Sequence, residues 1–504
     1  MSKYDTICAV ATAAGTGAIA IIRISGAESH GIASLIFRRN GKKLDVDDIE
    51  PNKAYYGEIF DPIPDGKPMV DDVLVTFFKA PHSYTGEDSV EISCHGSAFV
   101  QEKILEMLCV RGCRLAQPGE FSKRAFINGK MDLAQAEAVA DLIASQNEAE
   151  HRIAVNQLKG GFSNELRDLR SKLVDLTALL ELELDFSEED VEFADRTKLY
   201  DLLDTISKHI VKLTDSFRMG NAIKRGIPVA IVGETNTGKS TLLNAILGEE
   251  RAIVSDIEGT TRDTIEETFT IDGITYRFID TAGIRETSET IEKIGIERTF
   301  KKISEADIVI GMLDGTKSVK KIFESWQSIL SHVNILKQKL LVVVNKNDLM
   351  DAGKMFTLND DYIDYMKPKY EKNIENNGGY MTDEYCYSIT GMDLYDICSL
   401  MTFSYMSAKT DEDVEELKHT IRRNTETPNI DGNTVLVTNI RHYEALMKAK
   451  ESIEQVKNGM DNKLSADLLA QDLRQALYFI GSITGEVTNG EVLSTIFGRF
   501  CIGK

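Results

Sequence analysis

The chain lacks any run of the ~18 apolar residues that a membrane-spanning helix requires. Its first residues, MSKYDTICAVATAAGTG, lack the basic cluster and apolar stretch of a secretory leader and the arginines of a transit peptide. A cytoplasmic protein that does not enter membranes is therefore expected. A disulfide framework is also missing: the seven cysteines (Cys8, Cys94, Cys109, Cys113, Cys386, Cys398 and Cys501) are odd in number and scattered. Cys94, His95, Cys109 and Cys113 match no recognised zinc spacing. Positive charge is in short supply, with 58 Lys and Arg against 80 Asp and Glu and a net charge of −22. That balance excludes a general nucleic-acid binder, so any RNA contact must come from a local basic patch or a partner protein. Internal repeats and low-complexity tracts are absent.

What is present is ordinary globular material. The 504 residues are 42% hydrophobic and 27% charged, enough chain for roughly two to four domains. The pattern predicts a multidomain protein. Residues 1–120 alternate apolar and polar over short stretches, as in Ala18–Ile24 and Val73–Phe78, and read as an α+β domain. Residues 121–225 switch to helical spacing and read as the first part of a central α-helical bundle. Residues 226–427 alternate strands with helices and read as an α/β domain with a mostly parallel sheet. Within it, Asp272-Gly273 reads as the tip of a hairpin. Residues 428–504 return to helix, so the α/β domain is inserted into the helical one.

The inserted domain carries the chemistry. Gly233-Glu-Thr-Asn-Thr-Gly-Lys-Ser240 fits the P-loop pattern, between an apolar strand and a helical run beginning at Thr241. Its glycines let backbone N–H groups face phosphate, and the helix start favours an anion. Lys239 should reach the β- and γ-phosphates and Ser240 should ligate Mg²⁺. Asp280-Thr281-Ala282-Gly283 follows at a strand end, suited to the Mg²⁺ shell and the γ-phosphate. Asn345-Lys346-Asn347-Asp348 ends another strand, and Ser407-Ala408-Lys409 comes after it. The aspartate of such a segment accepts hydrogen bonds from guanine that adenine cannot donate, which selects GTP over ATP. Between these segments, Glu258-Gly259-Thr260-Thr261-Arg262-Asp263 reads as a switch loop, with Thr261 the hydroxyl that meets Mg²⁺ when γ-phosphate is present.

Hydrolysis needs an oriented water, and Ile284 stands where many small GTPases carry glutamine. Arg285, Glu286, Glu289 and Glu292 are the next polar residues, and spacing does not choose among them. Charge between the phosphates can come from Arg262, from Arg285, or from a monovalent cation held in part by Asn236.

These segments, with Gly259–Asp263, Asp280–Arg285 and the terminal Cys501-Ile-Gly-Lys504, resemble the MnmE (TrmE) family of tRNA-uridine-modifying GTPases. Ile22-Arg-Ile-Ser-Gly26, Tyr84-Thr-Gly-Glu-Asp88, Pro118-Gly-Glu-Phe121 and Met131–Glu137 fit as well, so the resemblance runs the length of the chain. One departure is Thr16, where relatives commonly carry Arg. The resemblance implies a homodimer. It also implies a FAD-containing partner, MnmG (GidA), with which the family adds an aminomethyl or carboxymethylaminomethyl group to C5 of the tRNA wobble uridine. The one-carbon carrier would be 5,10-methylene- or 5-formyl-tetrahydrofolate, bound by Arg23, Glu91, Lys130 and Lys504 of the N-terminal domain. K⁺ would be held by Asn236, Thr260 and the carbonyls of Ser255 and Ile257, and Mg²⁺ by Ser240 and Thr261. Nucleotide contacts would include Thr237, Gly238 and Asp256. Glu292 would orient the attacking water. An Era-like regulatory GTPase is the alternative, disfavoured by the acidic balance and the large N-terminal domain.

Overall fold

The computed structural model describes residues 5–61, 69–186, 196–248, 267–279, 303–335, 337–350, 402–425, 434–462, 464–487, 490–498, 500 and 503. The N-terminal part comprises β1 (Ile7–Val10), β2 (Gly17–Ser25), α1 (Ser29–Ile36), β3 (Phe37–Arg39), β4 (Lys42–Lys43), β5 (Ala54–Phe60), β6 (Met69–Phe78), β7 (Ser89–Gly96), α2 (Ala98–Val110), β8 (Arg114–Leu115) and α3 (Glu120–Ile127). Its strands form one sheet of eight in the order β4-β3-β5-β6-β7-β2-β1-β8. All pairs are antiparallel except β1 with β8. Alternation along the strands puts Ala20, Ile22 and Ile24 into the core under α1 and α2, with Val73, Val75, Phe77, Val90 and Ile92. The opposite face carries Ile19, Tyr56 and Leu74 exposed at 67%, 65% and 48%.

Four helices follow: α4 (Leu133–Ala144), α5 (Glu148–Leu158), α6 (Gly161–Phe186) and α7 (Arg196–Arg225). Asp132 starts α4 with a capping box, exchanging hydrogen bonds with Gln135. Asn147 caps α5 by accepting from the Glu150 N–H.

The α/β unit then contains β9 (Ile227–Val232), α8 (Lys239–Leu247), β10 (Glu267–Ile271), β11 (Ile274–Phe278), β12 (Ile308–Asp314), α9 (Val319–Leu330), β13 (Lys339–Asn345), β14 (Thr402–Met406) and α10 (Asp411–Arg423). The strand order is β10-β11-β9-β12-β13-β14, parallel throughout except for the β10–β11 hairpin. Asp272 and Gly273 sit at its tip with φ of 48° and 75°, the left-handed pair a two-residue turn demands. Both faces of this sheet are covered, one by α8 and α10 and the other by α9.

The chain ends with α11 (Ile440–Asp461), α12 (Ala466–Thr484) and α13 (Gly490–Phe497). Leu166, Leu169, Leu173 and Leu176 of α6 share one core with Leu203, Ile206 and Ile210 of α7 and Leu446, Ile453, Leu473 and Ile480 of α11 and α12. The helices before and after the α/β unit thus form a single bundle. Phe497 and Phe500 pack with Phe126 of α3 and Leu133 of α4. Gly503 then lies against the Val10 carbonyl, which brings the end of the chain back to β1.

Candidate functional sites

The nucleotide-binding segments converge at the carboxyl ends of β9, β12 and β13, the edge at which open α/β sheets bind ligands. Two glycines permit the loop after β9. A Cβ on Gly233, at φ 153°, would strike the Met312 carbonyl, and one on Gly238, at φ 103°, would strike the Asn345 side-chain amide. Asn236 sits at φ 64°, and its exposed side chain makes no hydrogen bond among the described residues. The carbonyl is therefore not spent on capping its own loop. The loop is a cradle whose backbone N–H groups suit a polyphosphate. Lys239 donates from Nζ to the carbonyls of Gly233 at 2.8 Å and Glu234 at 2.6 Å. Burial lowers the pKa of its ammonium, and an arriving phosphate would restore full charge stabilisation. Ser240 and Thr241 open α8 directly behind it.

Asn345 ties three segments together. Its Nδ2 donates to the Thr237 carbonyl at 2.7 Å, and its Oδ1 accepts from the Ala408 N–H at 2.8 Å. Ser407 is held by its own N–H donating to Asp413 at 2.7 Å, while Lys409 is exposed. Lys346 adopts φ 67°, and Asp348 lies exposed in the 3-10 turn just beyond it. Sequence reasoning missed Asp314, paired with Asn345 across β12 and β13. Its carboxylate accepts from Lys346 Nζ at 2.7 Å and from the Thr316 hydroxyl at 2.6 Å. Burial works against its ionisation, but those bonds outweigh it and hold the carboxyl below its usual range. An acid at the end of a strand, beside Gly315, was the available signal.

A second cluster lies on the face of the eight-stranded sheet opposite its main core. Arg23 and Glu91 are directly opposed on β2 and β7, with Arg23 Nε to Glu91 Oε1 at 2.9 Å. The guanidinium lies over the rings of Tyr84 at 4.9 Å and Phe121 at 5.7 Å. Lys130 reaches the neighbouring loop, donating to the Pro81 carbonyl at 2.9 Å. Three of the four residues expected at the folate site therefore gather around one loop. The half-exposed Tyr84 ring and a fixed guanidinium suit a flat heterocycle bearing carboxylates.

Ser255, Asp256, Ile257, Glu258, Gly259, Thr260, Thr261, Asp280, Thr281, Ala282, Gly283, Arg285, Glu292 and Lys504 lie outside the described residues, as does Cys501. Cys94 donates to the Ala20 carbonyl at 3.6 Å, and His95 pairs with Asp71 at 2.6 Å, so their partners are within the sheet.

The two sites join a P-loop nucleotide-binding domain, with its guanine-type N-K-x-D segment, to an N-terminal domain bearing an Arg–Glu–aromatic site. Comparison with known proteins agrees across the chain. Residues 6–130 match the family described as GTP-binding protein TrmE N-terminus, and 133–501 match the MnmE helical domain. The tRNA modification GTPase MnmE of Bacteroides thetaiotaomicron is 49% identical over 504 residues, covering all of both chains. That of Flavobacterium johnsoniae is 48% identical over 509 aligned positions, again covering both chains in full. This chain belongs to the MnmE (TrmE) family. Among solved structures, Aquifex aeolicus Era aligns with 45% of this chain and 66% of its own, at 23% identity and a TM-score of 0.26.

Proposed function

We propose that this protein is a potassium-stimulated GTPase that acts with the flavoprotein MnmG on the tRNA wobble uridine, using a tetrahydrofolate one-carbon unit. The observation that carries this reading is full-length likeness to tRNA modification GTPases, joined to an open phosphate cradle and an Arg23–Glu91 site on one chain. On binding GTP, Lys239 turns from the loop carbonyls to the β- and γ-phosphates and offsets the charge that develops there. Asp348 accepts from guanine, while Asn345 and Asp314 keep the base-reading segment in place. Ser240 and Thr261 hold Mg²⁺; Asn236, Thr260 and the carbonyls of Ser255 and Ile257 hold K⁺. The two cations supply positive charge against the phosphates. Arg285 adds to that charge, and Glu292 orients the attacking water. Arg23, Glu91, Lys130 and Lys504 bind the folate, and the return of Gly503 to β1 supports the terminal lysine's part. The open sheet face, with Ile19, Tyr56 and Leu74 exposed, supports a homodimer. No described helix is long and apolar enough to cross a membrane, and the substrate tRNA belongs to the cytoplasm.

Two measurements test the reading. GTP hydrolysis should run several-fold faster in KCl than in NaCl; equal slow rates would remove the potassium site. Mass spectrometry of wobble nucleosides from cells lacking the protein should show the C5 substituent missing, and unchanged nucleosides would remove the tRNA role while leaving the GTPase.

A further inference from the structure

We propose that the β3–β4 hairpin is a docking surface for the phosphodiester backbone of tRNA, an inference that rests on the tRNA reading above. The hairpin reads Phe37-Arg-Arg-Asn-Gly-Lys-Lys43. Asn40 and Gly41 form its turn at φ 50° and 71°, which fixes the register as Arg38 opposite Lys43 and Arg39 opposite Lys42. Like charges directly opposed across an antiparallel pair destabilise it. Two such pairs in succession, in a chain of net charge −22, break a local rule, and of the four side chains only Arg38 hydrogen-bonds within the described fold. Such breaks concentrate at functional sites.

No ion pair within the described residues relieves the arrangement. Arg39, Lys42 and Lys43 are exposed, and none is in an ion pair among the described residues. Arg38 is the exception in role: its guanidinium donates to the carbonyls of Ser34, Leu35 and Phe37 and so closes the end of α1. Arg39 lies 5.4 Å over the Tyr55 ring, which braces it without neutralising it. The nearest acids in sequence are Asp45, Asp47, Asp48 and Glu50. Asp45 caps the short turn that follows, and Glu50 is taken by Lys53 at 2.6 Å. Glu58 faces Arg38 across β5 but forms no ion pair with it.

Charge on an edge strand also wards off pairing with other sheets, and β4 is an edge. Protection of that kind works with either sign, however, and the four side chains here share one. An anion with regularly spaced charges is the partner that fits. The β4 edge is five strand steps from β2 in the same sheet, a lateral separation of about 24 Å at ~4.8 Å per step. A stem held at the hairpin could thus present its loop to the folate site.

The test is binding of an unmodified tRNA transcript with a wobble uridine to the full-length protein, over a range of KCl concentrations. The charge-reversed triple variant Arg39→Glu/Lys42→Glu/Lys43→Glu keeps a charged edge and leaves Arg38 alone. Its Kd should rise about tenfold or more, and the slope of log affinity against log salt should flatten by about 2–3, near 0.9 for each phosphate that the variant no longer neutralises. Basal GTPase rate and homodimer size should be unchanged. The neutral Gln triple should fall between, and Lys42→Arg/Lys43→Arg should bind like the parent. An unaltered affinity and salt slope in the reversed and neutral variants would overturn the proposal in favour of edge protection. Polyglutamate binding the parent as tightly as tRNA would overturn it in favour of an acidic protein partner. If the parent binds no tRNA yet wobble nucleosides still depend on it in cells, the hairpin assignment falls while the tRNA reading stands. If those nucleosides do not depend on it, the tRNA reading falls first.

Discussion

The two sheets of this molecule place chemistry in different ways. The six-stranded sheet is almost wholly parallel and covered on both faces, so its strand interiors serve only as core. Function is confined to the strand ends, where β9, β12 and β13 deliver the P-loop, Asp314 and Asn345 to one edge. The eight-stranded sheet is almost wholly antiparallel, with its main core on one face and only a small cluster around Ile7, Ala9 and Phe121 on the other. Its strands alternate, and the proposed folate site lies mid-strand on the face opposite that core, where Arg23 meets Glu91. Parallel sheets are buried and antiparallel ones need not be. A mutation at a strand end should therefore damage the first site, and one at mid-strand the second.

The largest expected effect is at a strand end. Asp348→Asn exchanges the proposed charged acceptor of two guanine hydrogen bonds for a neutral amide. Charge-assisted bonds contribute about 1.5–3 kcal/mol each, so GTP affinity should fall roughly 10²–10⁴-fold, with xanthosine nucleotides gaining relative to guanosine ones. Fluorescent-nucleotide titration measures this. An unchanged preference for guanine would remove Asp348 from the site.

Between the two sheets stands the helical bundle, and its centre is a buried charge cluster. Glu137 of α4 accepts from Arg441 Nε at 3.0 Å and Nη2 at 2.9 Å, and pairs with His442 at 2.6 Å. Arg441 also donates to the carbonyls of Ser482 and Ile483 at the end of α12. Burial alone would raise the Glu137 pKa, but His442 and Arg441 outweigh it and hold the carboxyl down at about 2. A depressed carboxylate contributes stability that is fully present above its unfolded pKa of about 4.3 and is lost as pH falls toward the folded value. Acid unfolding should therefore steepen below about pH 4.3, and Glu137→Gln should lessen that steepening. The variant should cost about 3–5 kcal/mol, because it leaves the half-buried Arg441 and the buried His442 without their counter-charge. Denaturant melts across pH give both numbers; a loss under about 1 kcal/mol would show that the cluster behaves as an exposed pair.

On the open face, Arg23→Lys keeps the charge and loses the planar fork and the stacking over Tyr84. Binding of 5-formyl-tetrahydrofolate, followed calorimetrically, should weaken about tenfold, equivalent to ~1.4 kcal/mol. Equal binding by the variant would place the folate elsewhere.

Legibility followed the range of the interactions. The P-loop and the Asp272-Gly273 turn were readable because each is set by backbone conformations that neighbouring residues demand. The alternation of β2, β6 and β7 was readable because one face is apolar. The Arg441–Glu137 contact was not: its partners are 304 residues apart, and no periodicity links them. Asn345 was readable as part of a base-reading segment, but not as the clamp joining Thr237 to Ala408, which needs three strands in place. The β3–β4 hairpin escaped notice because two short strands of arginine and lysine carry no apolar alternation.

The smallest effect sharpens the comparison where the two kinds of architecture meet. Asn147, at the start of α5, donates to the Thr275 hydroxyl of β11 at 2.7 Å and also to Glu150. This is a joint between the helical bundle and the parallel sheet, seconded by Arg218 of α7 reaching Asp307 at 2.7 Å. Asn147→Ala removes a helix cap as well as the joint, so it should cost about 1–2 kcal/mol. Thr275→Val removes the joint alone and should cost about 0.5–1.5 kcal/mol. The double-mutant cycle separates the two: a coupling near 1 kcal/mol assigns the contact to domain docking. A coupling indistinguishable from zero would mean the sheet is held to the bundle by Arg218 and the covalent connections, with Asn147 serving its own helix only.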